Sequence, residues 1–403
     1  MESVRLKDIG RIITGNTPPT SKPEFYGDYM PFIKATDIPL GAKCTLFTEQ
    51  SYSELAAEKY KESLVPKGST CVVTIGSIGK KMTYAHTDLF VNQAINAIVP
   101  KESYDKEYVF YNVKYSVLPQ LKKLDSGTTS GRENVSKSSF SSIRIPVIKD
   151  KRVQHRIASI LSTYDSLIEN NTKRIRLLEK MAENLYKEWF VRFRFPGYEK
   201  VEMENGLPKG WRYFRIEDLC DVNKRTINVT KAPKEILYLD TGSITCGRIS
   251  ELESIPFVDA PSRARRLVKH NSIVYSTVRP NLQHYGILKD PPSNMVVSTG
   301  FVVLDCKYDI ANIIYLALAH PSVYKYCSLI ADCAVATYPS IKPKEIGRIS
   351  IALPPMEVAV KWNDNLECLY RGVQNLQHQN TLLARQRDLL LPRLMSGKLE
   401  VKP

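Results

Sequence analysis

The chain has 403 residues, of which 43% are hydrophobic and 25% charged, with a formal net charge of +15 and a pI near 9.3. That length exceeds one ordinary domain and suits two or three, the composition is that of a water-soluble globular protein, and the charge points to a polyanionic partner, nucleic acid ahead of a membrane surface. No apolar run is long enough to cross a bilayer (Asn312–Ala319 is the richest), MESVRLKDIG lacks the apolar core of a signal peptide, and the eight cysteines show no CxxC pair, which argues against a zinc-finger set or a disulfide framework and for free thiols in a reducing cytoplasm.

Taken in chain order, the elements come twice. Val4-Arg5-Leu6-Lys7-Asp8-Ile9 opens the first half. Leu64–Ser69 is a turn that leads into the β-rich run Thr70–Thr74. Val91–Pro100 (VNQAINAIVP) is a second strand signal, and Ile143-Arg144-Ile145-Pro146 a third. The second half repeats the order: Phe214–Leu219, Leu267–Ser272 leading into Ile273–Thr277, Val297–Cys306 (VSTGFVVLDC), and Ile349–Ala352 with Pro354-Pro355 behind it. A period near 200 residues marks a duplicated domain rather than a solenoid. The expected organisation is a first domain over 1–150, a long helix over 151–195, a second domain over 196–355 and a second long helix over 356–397.

The helices carry the clearest periodicity. Ile157, Leu161, Tyr164, Ile168, Asn171, Ile175, Leu178, Ala182, Leu185 and Trp189 recur at alternating steps of four and three. Leu366, Leu369, Val373, Leu376, Asn380, Leu383, Arg387, Leu390 and Leu394 do the same. These are heptad seams. Each holds one Asn followed by Thr: Asn171-Thr172 and Asn380-Thr381. An Asn in a seam weakens packing but fixes register and partner, so the helices are expected to pair with each other, Asn near Asn. A helix of about 38 residues is a rod of about 55 Å. Two reading heads at its ends would meet half-sites about one and a half DNA turns apart, a turn being about 34 Å.

Motifs that suggest catalysis lack essential residues. Gly76-Ser77-Ile78-Gly79-Lys80-Lys81 has too few residues between its glycines for a phosphate loop, and Lys81 where Ser or Thr would hold a metal. It reads instead as a strand-to-strand turn displaying Lys80 and Lys81. Asp290-Pro291-Pro292-Ser293 lacks the aromatic residue that completes an amino-methyltransferase motif. The six histidines are dispersed. No catalytic residue and no metal site is therefore expected.

Several segments carry the donors and acceptors that phosphates and base edges require. Ser126–Lys137 (SGTTSGRENVSK) offers Thr128, Ser130, Arg132, Asn134 and Lys137. Its counterpart Ala336–Lys344 (ATYPSIKPK) offers Tyr338 and Lys342. Arg263, Arg265 and Arg266 form a basic patch expected beside a turn. Arg279, Asn281, Gln283 and His284 share one loop. Lys34 and Thr36, within Lys34–Asp37, and the segment Gly15–Lys22 are softer candidates.

The ordered repetition resembles the specificity subunit of a Type I restriction-modification enzyme along essentially the whole chain. The segments that carry the resemblance are Leu6–Pro19 (LKDIGRIITGNTPP), Val91–Ile98, Gly131–Pro146, Arg156–Trp189 and Leu390–Gly397 (LLPRLMSG). The resemblance implies an α+β chain: two similar α/β target-recognition domains, each followed by a long helix, with the helices paired as an antiparallel coiled coil of pseudo-twofold symmetry. It further implies a non-catalytic DNA-binding protein of a bacterial defence system, cytoplasmic, that reads a bipartite asymmetric site in double-stranded DNA. Its implied partners are two copies of a methyltransferase subunit, docked on the helices, and restriction subunits. No cofactor is expected on this chain. S-adenosylmethionine, for adenine methylation, and ATP with Mg would sit on the partners. Two departures stand out. Arg387 occupies the second seam where the first has Leu178, so pairing there is expected to be looser, or the Arg stem to snorkel outward. The second half also has VATYPSIKPK in place of the GTTSGRENVSK wording.

Two other classes compete. A fused restriction-methyltransferase would need a methyltransferase domain of several hundred residues, for which there is no room. A coiled-coil scaffold would not need two β-rich domains with polar loops.

Overall fold

The structure, a computed structural model, describes residues 1–125, 133–249, 252–334 and 339–401. The chain forms two compact units, one of residues 1–173 with 376–403 and one of residues 174–375. Thr128, Ser130, Arg132 and Tyr338 lie outside the described residues.

In the first unit Glu2–Arg5 pairs antiparallel with Arg144–Val147, Val4 opposite Ile145. A single helical turn, Leu6–Ile9, follows. Its first residue donates from the backbone to Ile143 at 3.0 Å, and the Asp8 carboxylate accepts from the Arg5 amide at 3.3 Å. The main sheet is antiparallel, in the order Gly10–Thr14, Ile95–Pro100, Thr70–Val73, Met82–Tyr84. The middle strands are buried on both faces, because the helix Lys106–Ser116 covers one side and a smaller sheet covers the other. That smaller sheet holds a parallel pair, Met30–Ile33 with Phe90–Val91.

The second unit repeats this frame. Arg212–Arg215 pairs with Ser350–Leu353, Phe214 opposite Ile351. The turn Ile216–Leu219 starts with a 3.0 Å bond to the Ile349 carbonyl and is capped by Asp218 on the Arg215 amide at 3.3 Å. The main sheet runs Cys220–Val222, Phe301–Cys306, Ser272–Ser276, Tyr285–Leu288. The smaller sheet again contains a parallel pair, Glu235–Leu239 with Met295–Ser298. The duplication visible in the sequence is thus a duplication of hydrogen-bond pattern.

The long helices span Lys151–Tyr186 and Met356–Met395. A π turn, Lys187–Val191, ends the first. The compact units divide each helix rather than following its ends: each unit takes one part of both. Within the first unit Asn171 contacts Gln379, Asp165 contacts Arg387, and Ile157 and Leu161 share a core with Leu391 and Leu394. Numbers rise along one helix as they fall along the other, so the pairing is antiparallel. Within the second unit Leu178 lies against Gly372, and the Trp189 and Trp362 rings are 5.2 Å apart, which gives the same sense.

None of the seam positions is exposed. Ile157, Leu161, Asn171, Ile175, Leu366, Val373, Leu376 and Leu394 are buried; Tyr164, Ile168, Leu178, Leu185, Leu369, Asn380, Leu383 and Leu390 are half-buried. Two expectations about the seam change. The Asn171 amide donates to Gln379, one residue before Asn380, at 3.3 Å, and the Asn380 carbonyl oxygen is buried without a partner. Arg387 does not snorkel. Its side chain is 2% exposed and pairs with Asp165, itself 1% exposed, which also accepts from the Tyr111 hydroxyl. A guanidinium turned inward is tolerable because two carboxylates, Asp165 and Asp388, occupy its donors. Thr172 and Thr381 both donate to the carbonyl four residues back, Ile168 and Gln377.

Candidate nucleic-acid interface

Polar sequence concentrates where the second strand of each main sheet pair runs out into a loop. In the second unit Ser272–Ser276 ends at Thr277, whose carbonyl accepts from Ile341 at 2.8 Å. Val278 bridges Ser340, and the Arg279 amide donates to Pro339 at 2.9 Å. In the first unit Thr74 accepts from Val135 at 2.8 Å, Ile75 bridges Asn134, and Gly76 donates to Glu133 at 2.9 Å. The two loops therefore share one backbone frame: Gly76 stands where the second unit has Arg279, and both are left-handed, with φ of 85° and 47°.

The second unit's loop is the more strained. Arg279 and Gln283 have positive φ, as does Cys246 in the hairpin Ile244–Thr245/Arg248–Ile249 packed against it. Each such non-glycine residue costs about 1–2 kcal/mol, a cost borne only where the surroundings over-determine the conformation. Those surroundings are visible. Cys246 donates from its amide to Gln283 at 3.0 Å and Gly247 to Tyr285 at 2.7 Å. Gly286 permits the approach, since a Cβ there would lie 2.4 Å from Ile244 Cδ1. Arg248 is paired with Glu179 at 2.9 Å.

On this frame Arg279 and Asn281 are exposed, and Gln283 and His284 half-exposed. The Cys246 thiol donates to Gln283 Oε1 at 3.3 Å. His284 Nδ1 lies 2.7 Å from the Ile244 carbonyl and 3.1 Å from the Thr245 hydroxyl. Lys342 is exposed and begins the helical turn Pro343–Gly347. The loop is thus built from two segments, 279–284 and 244–249. The second was missed in the sequence because its residues are brought in only by the sheet.

The basic patch splits. Arg263 is exposed in a turn, as expected, but Arg265 and Arg266 lie on the strand that follows it, Ala264–Leu267. Arg265 lies 5.6 Å from the Phe257 ring centre and donates to its neighbour's carbonyl. Arg266 reaches inward to the Asn223 carbonyl at 3.2 Å, its Nε is buried without a partner, and burial lowers its guanidinium below the ordinary arginine range. Only Arg263 of the three presents a fully exposed side chain.

In the first unit Lys80 is exposed, whereas Lys81 donates to the Ala35 carbonyl at 3.1 Å. Lys34 is paired with Glu49, and its amide caps onto Asp37 at 2.8 Å. Thr36 and Lys137 are exposed, and Asn134 half-buried. The phosphate-loop resemblance of Gly76–Lys81 dissolves structurally. The amides of Gly76 and Ile78 are already bonded, to Glu133 and Gly76, so no nest of free N–H groups forms. Asp290 accepts from Gln374 at 3.2 Å and meets His270 at 2.6 Å, which makes it a tie to the long helix. Among the described residues no group of three or more metal-ligating side chains is found, and no helix is long and apolar enough to cross a membrane.

Residues 1–180 match the family model of the Type I restriction modification DNA specificity domain. The chain is 27% identical to the Type I restriction enzyme MjaIX specificity subunit of Methanocaldococcus jannaschii, covering 99% of this chain and 93% of that protein. It is 31% identical to the HindI specificity subunit of Haemophilus influenzae over 44% of this chain and 38% of that one. Among solved structures, the S subunit of a Type I restriction-modification system from M. genitalium is similar in fold, with a TM-score of 0.57 and 17% identity over 98% of this chain and 95% of that one.

Proposed function

For a chain that belongs to the specificity subunits of Type I restriction-modification enzymes, we propose that each unit reads one half of a bipartite, asymmetric DNA site through its strand-end loop. The observation that carries this reading is the repeated loop frame: the backbone bonds of Thr74–Gly76 with Glu133–Val135 recur in Thr277–Arg279 with Pro339–Ile341, while the side chains differ. A constant frame with variable polar tips suits two readers of different sequence. Exposed Lys80, Lys137, Arg263, Arg279 and Lys342 supply phosphate contacts and donors for base edges.

The chain is a non-catalytic recognition subunit, and the chemistry lies in its partners. Those partners are a methyltransferase subunit, present in two copies because the reader is duplicated, and restriction subunits. S-adenosylmethionine for adenine methylation and ATP with Mg for translocation and cleavage sit on them. The complex works on double-stranded DNA in the cytoplasm. The antiparallel long helices, buried along their seams, leave their outer faces for the methyltransferase.

Methylome sequencing of a host expressing this chain with its methyltransferase subunit tests the reading. One new bipartite methylated motif is expected. A short continuous motif, or none, overturns it. Arg279→Ala should then weaken binding by about 1–3 kcal/mol and relax one half-site if Arg279 reads guanine. Uniform weakening across sequences would assign it to phosphate.

A further inference from the structure

Resting on the reading of the strand-end loops as base readers, we propose that His284 recognises an exocyclic amino group of a base by accepting a hydrogen bond at Nε2, whereas the equivalent position of the first unit, Lys81, offers donors.

The equivalence comes from the backbone. Val73 donates to the Lys81 carbonyl at 3.1 Å, and Ser276 to the His284 carbonyl at 2.8 Å, each bond closing the same loop. Both side chains then turn to a carbonyl in the segment that follows the parallel-paired strand: Lys81 to Ala35 at 3.1 Å, His284 Nδ1 to Ile244 at 2.7 Å. The chemistry diverges at that point. A carbonyl oxygen only accepts, so Nδ1 must carry the ring proton; this tautomer is assigned from geometry. The tautomer that donates from Nδ1 leaves a bare lone pair on Nε2. Among the described residues Nε2 has no partner, it is not sealed from solvent, and the ring is half-exposed. Lys81, after its one bond, has further N–H donors to offer and no acceptor.

An acceptor held rigidly at the rim of a reading loop selects donors. The donors on base edges are amino groups: adenine N6 and cytosine N4 in the major groove, guanine N2 in the minor. The acceptors O6, N7 and O4 would meet the Nε2 lone pair head-on. The ring is held in place by the hairpin, whose approach depends on Gly286, and by the strained neighbour Gln283. The two units therefore present opposite hydrogen-bond polarity at one shared position.

The test uses the full chain in complex with its methyltransferase subunit and duplexes carrying its methylated motif. At each position of both half-sites one amino group is removed: purine for adenine, pyrimidin-2-one for cytosine, hypoxanthine for guanine. One position should weaken wild-type binding by roughly 5- to 50-fold, and the base that responds names the amino group. His284→Asn keeps a donor for the Ile244 carbonyl but lacks the second ring nitrogen. It should retain the wild-type melting temperature and lose that single dependence. His284→Lys, which installs the first unit's residue, should move the preference at that position towards guanine. If His284→Asn retains the full amino-group dependence, or weakens every duplex equally, the proposal falls while the two-reader function stands. If the wild-type complex methylates no bipartite motif, the underlying reading falls and this proposal with it.

Discussion

Each unit secures its long helices with buried charge, the first by pairing one long helix with the other and the second by pairing a long helix with a residue that follows a sheet strand, and to different depths. In the first, Arg387 and Asp165 are nearly sealed from solvent, Tyr111 completes the carboxylate's bonding, and Lys114 holds Asp388 at 2.8 Å. In the second, Lys289 and Glu367 meet at 2.5 Å with 9% and 14% of their side chains exposed, and Asn312 adds a bond at 2.9 Å. The second unit also holds all three tryptophans, clustered with Phe190, Phe193 and Phe195. The first unit thus positions its helices by a specific ion pair, the second by aromatic area with an ion pair at its edge. A dry ion pair adds little net stability over an apolar pair of equal volume, yet it severely penalises any arrangement that separates its members. Register is what it secures.

The largest effect should therefore come from Arg387→Ala. It strands Asp165 in the interior and should lower stability by about 3–5 kcal/mol. Denaturation followed by far-ultraviolet circular dichroism should show the loss, while tryptophan emission, which follows only the second unit, should shift less. Pairing Arg387→Met with Asp165→Leu should recover most of it. If the single substitution costs under about 1 kcal/mol, well below that range, the pair is not the anchor described.

Lys289→Met should be milder, about 1.5–3 kcal/mol, because Glu367 keeps Asn312 and Arg371 as donors. Here tryptophan emission should report the change. The same site carries a pH signature. Burial alone would raise the Glu367 carboxyl, but bonds from Asn312 and Lys289 more than offset it and hold it at about 2. Its folded value lies below the unfolded value of about 4.3, so its contribution is full above about pH 4.3 and fades as pH falls towards 2. Melting temperatures between pH 5 and 3, read by tryptophan emission, should fall less steeply for Glu367→Gln than for wild type.

Gly76→Ala tests the loop frame. Nothing lies within 4 Å of the added Cβ, so the cost is the left-handed backbone alone, about 1–2 kcal/mol. Arg279 already bears that cost in the second unit, and the contrast is informative: Arg279→Gly should not destabilise the fold, although it should weaken DNA binding. The smallest effect, of opposite sign, belongs to the seam asparagines. Asn380→Leu removes an unsatisfied buried oxygen and should stabilise the first unit by about 1 kcal/mol. Asn171→Leu should give no such gain, because it breaks the bond to Gln379. Thermal melts of the two single variants separate these outcomes.

Much of this was legible in the residues. Repeated openings, repeated strand runs and heptad seams arise because hydrogen-bond ladders and helix periodicity write themselves into local pattern. The burial of Ile157, Leu161 and Leu394 follows from spacing alone. The role of Arg387 did not. An arginine in a seam reads as a flaw until its partner is known, and Asp165 stands 222 residues away in the chain. Likewise the RARR run shows its charge but not that Arg266 turns inward, and nothing near His284 in sequence announces Ile244 and Thr245.

The sequence by itself determined the duplicated α+β plan, the positions of the long helices and the loops that carry polar tips, since each depends on neighbours within a few turns or strands. Tertiary structure alone decided which charges face inward, which seam asparagine finds a partner, and which nitrogen of His284 is tied to a backbone carbonyl. Those outcomes depend on desolvation and on donor-acceptor geometry between segments far apart in the chain, and neither exists until the segments meet.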